Sequence, residues 1–501
     1  MDLDYTGHPF LDVGLATLTA FARKRHPREL TKEDLKQAAD YMARNYIMKP
    51  LKSSLSVAFT SNAWFIQDAY NPDKPGLSEE ERVARQQRRS FWRDRHLYQW
   101  DEPVDMHSTE TDFFTGLPVV SHSLSQKLRP GRGARAQIPL TLGDENINFL
   151  PYGDSGIPIS GMSVLALQIM PLGCAKVGNR FLAVHSDDPD LILHYARTFF
   201  RTNLQNVEIA QAAGEKKLPN TSPRKPRTLL IEHLLEAQRQ ARRLGEDTPP
   251  TTLTAYLFSN SGQGPDLDIY PLPLEVSAFL AAVQSPRYRH AWQALTQRAW
   301  QITKAKRGKD APPPTYNRLY EDLFALPEQA AYFIRTYFLR RPNRIRPWKK
   351  DEDPTRTYHS AQEAHLISWP LTQLFLKKVM HMDQTRIQHI RELGDRLADY
   401  VINQNDRRFF FNFYTARSYA QMRAALIKAS QAEVKAGRPP LITLDVFLSV
   451  FEETEGIPYE DWRLGRDLVL IRMFEQLYQQ GWLQQHAQEL PEEEPETTES
   501  L

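Results

Sequence analysis

The sequence predicts an α+β fold, in which a mixed α/β N-terminal body precedes a C-terminal helical bundle. Three observations predict it. Apolar residues recur at helical spacing over 10–48 and 78–100, and short apolar runs between glycines and prolines replace that pattern from about 103 to 275. Beyond about 275 the pattern is almost entirely helical. We therefore divide the 501 residues into an α+β body over 1–370, a helical bundle over 371–490 and an acidic, disordered tail over 491–501.

The N-terminal helices have recognisable boundaries. Pro27 interrupts the first apolar pattern, and Thr31 with Asp34 three residues later forms a variant of the capping box at the start of the next helix. Residues 78–100 form a strongly charged helix. Its basic members include Arg82, Arg85, Arg88, Arg89, Arg93 and Arg95. A strand-like alternation precedes this helix, at Leu55, Val57 and Phe59.

Short apolar runs predict the strands of the body. They are Met162–Met170, Arg180–His185 and Leu253–Ser259. Two loops rich in lysine and arginine, 126–135 and 216–227, interrupt this region. Several helical patterns recur from about 371 to 486 with glycine–proline breaks between them, which favours a bundle of roughly 100 residues.

Composition excludes several classes of protein. Hydrophobic residues make up 41% of the chain and charged residues 25%, so enough apolar material is present for a folded core. The single cysteine, Cys174, excludes a disulfide framework and a cysteine-based zinc finger, and it favours a reducing environment. No apolar stretch reaches the ~18 residues of a membrane-spanning helix, and the acidic start is unlike a signal peptide. We therefore expect a cytoplasmic protein without membrane contact.

Motifs that carry catalysis are missing from the sequence. It contains no G-x-x-x-x-G-K-[ST] phosphate loop, no G-x-G-x-x-G, no H-E-x-x-H and no His-Asp dipeptide. Residues 185–188, His-Ser-Asp-Asp, fit a polar turn better than a metal site. Residues 153–156, Gly-Asp-Ser-Gly, match the tetrapeptide around a serine-protease nucleophile, but a half-helical architecture does not suit that fold. We therefore expect no catalytic residue, no metal and no cofactor.

Positive charge is segregated locally, although 63 lysines and arginines stand against 61 acids. Residues 331–350 contain seven basic and five aromatic residues and no acid, and residues 384–440 contain ten basic residues against five acids. Cations beside planar side chains are typical of nucleic-acid binding, but a solvated helix end over core aromatics explains the first stretch equally well. An ordinary surface loop likewise competes at 127–135. The candidate backbone contacts are Lys49, Lys52, Lys127, Arg129, Arg132, Arg135, Arg340, Arg341, Arg344, Arg407, Arg408, Arg417, Arg423 and Lys428.

Six segments share their order and spacing with one known family. They are Tyr5–Gly14 (Tyr-Thr-Gly-His-Pro-Phe-Leu-Asp-Val-Gly), Glu29–Leu35, Pro50–Asn62, Pro171–Asp187, Phe258–Pro265 and Phe409–Arg417. In these segments, which extend over most of the chain, the sequence resembles the large subunit of type I-B CRISPR surveillance complexes (Cascade). Some such subunits carry a zinc-binding cysteine cluster, which this sequence lacks.

The resemblance implies a non-catalytic role in DNA recognition. Such a subunit reads the protospacer-adjacent motif (PAM) on double-stranded DNA, promotes duplex opening and R-loop formation, and guides the displaced strand for a recruited helicase–nuclease. The implied partners are the CRISPR guide RNA, the target double-stranded DNA and its displaced strand, the helicase–nuclease effector, and the backbone, guide-end-binding and small helical subunits of Cascade. In related systems the small subunit starts internally, for which Met380 or Met382 is the candidate here.

Two segments are candidates for PAM recognition, because amides on tight loops suit base edges. The candidates are Asn62 and Gln67 in the first segment, and Asn260, Gly262, Gln263 and Gly264 in the second. An apolar packing corner and a hairpin turn, respectively, are the alternative interpretations. Two other functions stay open for the whole chain: a DNA-processing nuclease with an unrecognised metal site, and a structural scaffold with incidental basic patches.

Overall fold

The computed structural model describes residues 3–101, 110–147, 153–245, 249–260, 264–342, 352–454, 457–459 and 462–486. Internal contacts divide the chain into two units. The first comprises Met1–Ala241 and Thr251–Leu272, and the second comprises Arg242–Pro250 and Pro273–Leu501. The segment from 273 to 370 therefore groups with the C-terminal helices. The functional boundary at 370/371 stays a prediction, and the acidic tail at 491–501 lies outside the described residues.

The first unit combines helices with a small sheet. Its helices are α1 (Pro9–Phe21), α2 (Lys32–Asn45), α3 (Leu51–Leu55), α4 (Glu79–Leu97), α5 (Gly161–Ile169), α6 (Pro189–Ala212) and α7 (Pro226–Leu244). Its strands are β1 (Arg132–Gly133), β2 (Ile157–Pro158), β3 (Ala175–Val177), β4 (Arg180–Ser186), β5 (Leu253–Ser259) and β6 (Asp266–Leu272). Short 3₁₀ turns at Pro27–Glu29, Asp68–Tyr70, Gln99–Asp101 and Met170–Gly173 connect them.

Four strands form an antiparallel sheet in the order β3–β4–β5–β6. Leu182 lies opposite Leu257, which lies opposite Asp268. The inner strand β4 is buried on both faces, since the consecutive residues Leu182 and Ala183 are both fully buried, whereas Thr254 and Tyr256 on one face of β5 are half-buried. β6 is the edge strand, and most of its side chains are exposed. The strands predicted from the runs at 180–185 and 253–259 are confirmed as β4 and β5.

α1 lies in the core of the first unit. Every residue from Phe10 to Ala20 is buried, and α5, α6 and β4 pack around the helix. Gly14 permits the closest of these approaches, because a Cβ atom at this position would overlap the backbone carbonyl of Ala166 in α5. The apolar opening of the chain is therefore a packing element.

Asp12 fixes the segment that precedes α1. Its buried carboxylate accepts hydrogen bonds from the backbone N–H groups of Thr6 (2.7 Å) and Gly7 (2.9 Å), and it lies 3.0 Å from His185 Nε2. Asp188, three residues after His185, caps α6 by accepting from the backbone N–H of Asp190 at 2.9 Å. Residues 185–188 therefore serve packing and helix capping at a polar turn.

In the described residues of the second unit, the regular secondary structure is helical apart from one small hairpin. Its helices are α8 (Leu274–Val283), α9 (Pro286–Arg298), α10 (Arg318–Asp322), α11 (Ala330–Phe333), α12 (Trp369–Lys378), α13 (Gln384–Gln404), α14 (Arg407–Tyr414), α15 (Tyr419–Lys435), α16 (Leu444–Phe451), α17 (Trp462–Gln479) and α18 (Trp482–His486). The hairpin pairs β7 (Glu452–Thr454) with β8 (Ile457–Pro458). A π-helical turn over Ile334–Phe338 follows α11, and short 3₁₀ turns lie at Leu323–Ala325, Pro354–Thr357 and Ala364–Leu366. Met380 and Met382 lie in the connection between α12 and α13.

The predicted α+β class is confirmed, but two of the predicted strands are wrong. The alternation at 55–59 begins at the end of α3 and continues as turns. The run at 162–170 is α5, and every residue of this helix is buried, so no polar face reveals its period. The capped helix predicted to start after Thr31 is confirmed as α2, and the charged helix predicted over 78–100 is confirmed as α4. Within the described ranges, none of the helices combines the length and apolar character needed to span a bilayer.

Candidate nucleic-acid interface

α4 is a long helix whose two halves have different surroundings. Ser78 caps it together with Glu81 in a capping box, and basic residues occupy its last turn, so both ends complement the helix dipole. Trp92 and His96 are buried and anchor the C-terminal half. No side chain from 79 to 91 is fully buried. The N-terminal half of α4 therefore presents its side chains to solvent.

Arginines follow one side of α4. The side chains are Arg82, Arg85, Arg89 and Arg93, at intervals of three or four residues that place them on one stripe of a helix. Arg88 adjoins this stripe. Arg93 pairs with Asp94 (2.8 Å), and Arg85 donates to the backbone carbonyl of Asp68 (2.7 Å). Among the described residues, no carboxylate forms an ion pair with any of the other arginines or with Arg85.

Lys52 of α3 lies near Arg89. Burial and then the Arg89 guanidinium lower the pKa of Lys52, and Lys49 acts in the same direction, while Asp73 and Asp68 offset part of this effect. Like charges held together destabilise one another, so a bound phosphate would be favoured here. We name this the basic α3–α4 surface. It consists of Lys49, Lys52, Arg82, Arg85, Arg88, Arg89 and Arg93.

The amide candidates Asn62 and Gln67 lie on the connection between α3 and α4. Asn62 is exposed in a turn, whereas the next three residues, 63–65, are buried. The side-chain oxygen of Gln67 is buried without a hydrogen-bond partner in the described part of the chain. The connection meets α4 at Tyr70, whose ring stacks on that of Trp92 at 6.5 Å. This segment is therefore a packing corner that also carries one exposed amide.

Asn260 lies in the interior, which corrects its assignment as an accessible amide. Its side-chain oxygen accepts hydrogen bonds from Arg135 Nε (2.9 Å) and from the backbone N–H of Leu140 (3.2 Å). Its amide nitrogen donates to the backbone carbonyls of Ala58 and Arg135, both at 3.1 Å. The amide is fully used within the chain, so it joins three segments of the first unit and cannot reach a base edge in this conformation.

The rest of the second candidate segment belongs to a hairpin connection. β5 and β6 are antiparallel neighbours that pair as far as Ser259 and Asp266, so residues 260–265 join them, as the alternative interpretation predicts. Gly264 is exposed and has a φ of 150°, a value that favours glycine. Gly262 and Gln263 lie outside the described residues.

The cations of the 127–135 loop are neutralised by acids or held inside the fold. The ion pairs are Lys127–Glu145, Arg129–Asp154 (3.2 Å) and Arg132–Glu110 (2.5 Å). Lys127 and Arg129 are exposed, whereas Arg132 is buried in β1. Arg135 binds Asn260 through its guanidinium. The predicted phosphate contact at Arg132 is therefore wrong, because this side chain is buried and paired, whereas the contact at the half-buried Arg135 stays a prediction.

Arg340 and its aromatic neighbours belong to the core of the second unit. The buried aromatic residues are Phe333, Tyr337 and Phe338. Arg340 is fully buried, pairs with Glu363 at 2.6 Å and lies 3.4 Å from the ring centre of Tyr358. The prediction of a phosphate contact at Arg340 is therefore wrong, since the guanidinium is enclosed by protein.

Arg341 is also engaged within the second unit. It donates to the backbone carbonyl of Tyr414 (2.8 Å) and approaches Asp467 at 4.0 Å. Arg335 and Arg466 pair with the same carboxylate at 2.8 Å each, and these cations hold the pKa of Asp467 well below its usual range despite its burial. Arg341 is therefore engaged in contacts within the second unit, and its assignment as a phosphate contact stays a prediction. Arg344 lies outside the described residues.

Most of the C-terminal candidates are exposed cations. Arg408, Arg417, Arg423 and Lys428 are exposed, and Arg407 is half-buried. Met422, Leu426 and Ala429 are buried, so this face of α15 turns inward. Arg423 and Lys428 are five residues apart and do not share a stripe of α15.

The α4 arginines are candidates that neither the motif search nor the resemblance selected. Their spacing is visible in the sequence, whereas the lack of ion-pairing carboxylates at Arg82, Arg85, Arg88 and Arg89 within the described residues emerges only from the folded chain. A comparison with models of known protein families finds no match, and neither does a comparison with curated proteins.

Proposed function

We propose that this chain is the non-catalytic, DNA-binding large subunit of a guide-RNA surveillance complex of the type I-B Cascade kind. The observation that carries the proposal is the basic α3–α4 surface, where, among the described residues, Arg93 is the one member that forms an ion pair with a carboxylate. Arginine donors match phosphate oxygens in geometry and charge, so such a surface favours a nucleic-acid backbone. The resemblance of six sequence segments supports the specific role.

The proposed roles of the different surfaces follow from which cations and amides are exposed to solvent. The α3–α4 surface holds the phosphates of the target duplex, and Asn62 is the exposed amide available to read a PAM base edge. The exposed cations of α14 and α15 suit the displaced single strand, since binding there needs charge without sequence preference. Guide-RNA base pairing reads the remaining target sequence, and a recruited helicase–nuclease cuts. In this role the chain acts in the cytoplasm alongside the other Cascade subunits.

Salt-dependent DNA binding tests the α3–α4 surface. Each neutralised phosphate contributes about 0.9 to the slope of log K against log salt, so seven contacts give a slope of roughly −6. The triple variant Arg82→Gln, Arg88→Gln, Arg89→Gln is expected to reduce the magnitude of this slope by up to about 3. Fluorescence anisotropy with a labelled duplex, at several salt concentrations between 50 and 200 mM, measures it.

A matched control separates this surface from general charge effects. Lys127→Gln with Arg129→Gln removes two exposed cations that already pair with acids, so its slope should stay close to that of the unmodified chain. An equal loss of slope per removed cation in both variants would contradict a phosphate site at α3–α4.

Motif selection tests the specific role. The reconstituted guide-RNA complex, with and without this subunit, is offered duplexes with a randomised flank beside the target. Enrichment of a short flank only with the subunit, weakened by Asn62→Ala, is the expected result. Unchanged flank preference would argue against PAM recognition, and metal-dependent cleavage of plasmid by the isolated chain would favour the DNA-processing nuclease instead.

A further inference from the structure

Two histidines and a glutamate meet between α6 and α7 in the first unit. His194 lies on α6, and His233 and Glu236 lie one turn apart on α7. Each offers one ligand atom, and the three atoms lie within 4.8 Å of one another. No motif in the sequence selects this group, because its members come from two helices separated by a loop.

The spacing of these atoms is close to that of a metal centre. His233 Nδ1 and Glu236 Oε2 are 3.3 Å apart. Ligands of a tetrahedral zinc ion at about 2.1 Å are roughly 3.4 Å from each other, so this pair already has the required separation. Closing the site around His194 needs a movement of about 1 Å or slightly more. The Glu236 side chain is 59% exposed and free to make much of that adjustment.

The surroundings of the cluster suit a bound cation. His194 Nε2 is buried without a hydrogen-bond partner among the described residues, which is unusual for an imidazole nitrogen. Tyr195 and Phe199 line the site, with ring centres 6.1 and 5.4 Å from that of His233. An apolar wall of this kind limits water access to a metal.

Nearby charges are engaged elsewhere. Arg197, the cation near His194, donates to the backbone carbonyl of Lys24 at 2.9 Å. Glu232 pairs with Arg224 at 3.2 Å. Neither side chain therefore occupies the position between the two imidazoles and the Glu236 carboxylate.

We propose that His194, His233 and Glu236 bind one divalent transition-metal ion, with zinc as the best match, and that the ion clamps α7 to α6. Two imidazole nitrogens and one carboxylate oxygen form a ligand set that suits zinc and leaves a fourth position for water. The clamp stabilises the start of α7, where Arg227 lies 5.0 Å from the ring centre of Tyr270 in the edge strand β6.

The clamp is separate from the DNA-binding surface. The far end of α6 approaches α3 through Gln211 Nε2, which lies 3.8 Å from the sulfur of Met48. His194 is 17 residues earlier on α6, and this corresponds to about 25 Å along the helix axis. The inference therefore stands independently of the proposed function, and it assigns the ion to stability.

Zinc titration of the metal-stripped full chain tests this inference. Isothermal titration calorimetry should show one site per chain, and excess zinc should raise the thermal midpoint by roughly 5 °C. Glu236→Gln and His233→Gln should each weaken zinc binding by more than about tenfold. His290→Gln, at an exposed histidine of the second unit, is the matched control and should bind zinc like the unmodified chain.

Circular dichroism and cobalt absorption distinguish loss of the metal site from loss of the fold. Glu236 is exposed, so its variant should keep the circular dichroism spectrum of the folded chain. Cobalt bound in place of zinc should give the intense visible bands of a tetrahedral site in the unmodified chain and lose them in Glu236→Gln. Zinc affinity that is equal in the unmodified chain and both cluster variants would overturn the proposal, and so would zinc binding without a rise in the thermal midpoint.

Discussion

His96 anchors the end of α4 as a neutral imidazole. Its Nδ1 lies 2.8 Å from the backbone carbonyl of Trp92, and its Nε2 lies 3.0 Å from the amide nitrogen of Gln137. A carbonyl can only accept and an amide NH₂ can only donate, so Nδ1 carries the proton and Nε2 accepts. The Gln137 orientation is set independently, because its Oε1 accepts from the backbone N–H of Ala134 at 3.1 Å. A second proton on His96 has no acceptor at this position.

The magnitude follows from the pKa of this imidazole. Burial lowers the pKa of His96 to about 4, from an ordinary value near 6.5. Between these values the unfolded chain binds a proton that the folded chain does not, so the free energy of unfolding falls as the pH falls. A difference of about 2.5 pKa units corresponds to about 3 kcal/mol, which is fully present above pH 6.5 and lost as the pH approaches 4.

Comparison with His96→Leu isolates this contribution from those of other titrating groups. Urea unfolding followed by tryptophan fluorescence at pH 7.5, 6.5, 5.5 and 4.5 measures the free energy of unfolding of both chains. The difference between them should change by between about 2 and 3 kcal/mol over this range, in favour of the variant at low pH. His290→Leu, at an exposed position, should follow the unmodified chain throughout.

A difference between His96→Leu and the unmodified chain that stays constant from pH 7.5 to 4.5 would refute this reasoning. It would mean that the imidazole is solvated or protonated in the folded state. The anchor of α4 would then depend on Trp92 and not on the hydrogen bond from Gln137.

Two further predictions concern residues in two of the segments that carry the resemblance, Tyr5–Gly14 and Phe258–Pro265. Gly14→Ala should lower the free energy of unfolding by about 1–3 kcal/mol, since the new Cβ overlaps the Ala166 carbonyl; an unchanged urea midpoint would contradict that close approach. Asn260→Ala should lower the free energy of unfolding by about 1–3 kcal/mol, because buried hydrogen bonds are lost. It should leave the salt slope of DNA binding unchanged. A reduced slope in anisotropy titrations would instead show that Asn260 contributes to DNA binding.

Secondary structure was predictable wherever a local signal was complete. The capping box of Thr31 and Asp34 predicts α2, and the charged run that follows Ser78 predicts α4. The prediction failed at 162–170, because burial on every side of α5 removes the polar residues that reveal a helical period. It failed at 55–59 because a two-residue alternation over so short a stretch also fits a helix end followed by turns.

The sequence predicts that the candidate site is basic, but it does not predict which basic residues form it. Lys49, Lys52 and Asn62 were selected from sequence, and their structural partners on α4 were visible as basic residues without being selected. Arg340 was selected from a run without acids, yet Glu363 neutralises it from 23 positions further along the chain. A count of charges within a window cannot include such a partner.

By itself the sequence determined the α+β class, the capped helices, the strands β4 and β5, and the local excess of positive charge, because these depend on neighbours within a few residues. Only the tertiary structure decides which cations form ion pairs with carboxylates and which side-chain amides are exposed to solvent. Arg135 and Asn260 meet across 125 positions, and that contact turns a candidate base reader into a core residue. The availability of a side chain depends on neighbours in space, which the fold supplies.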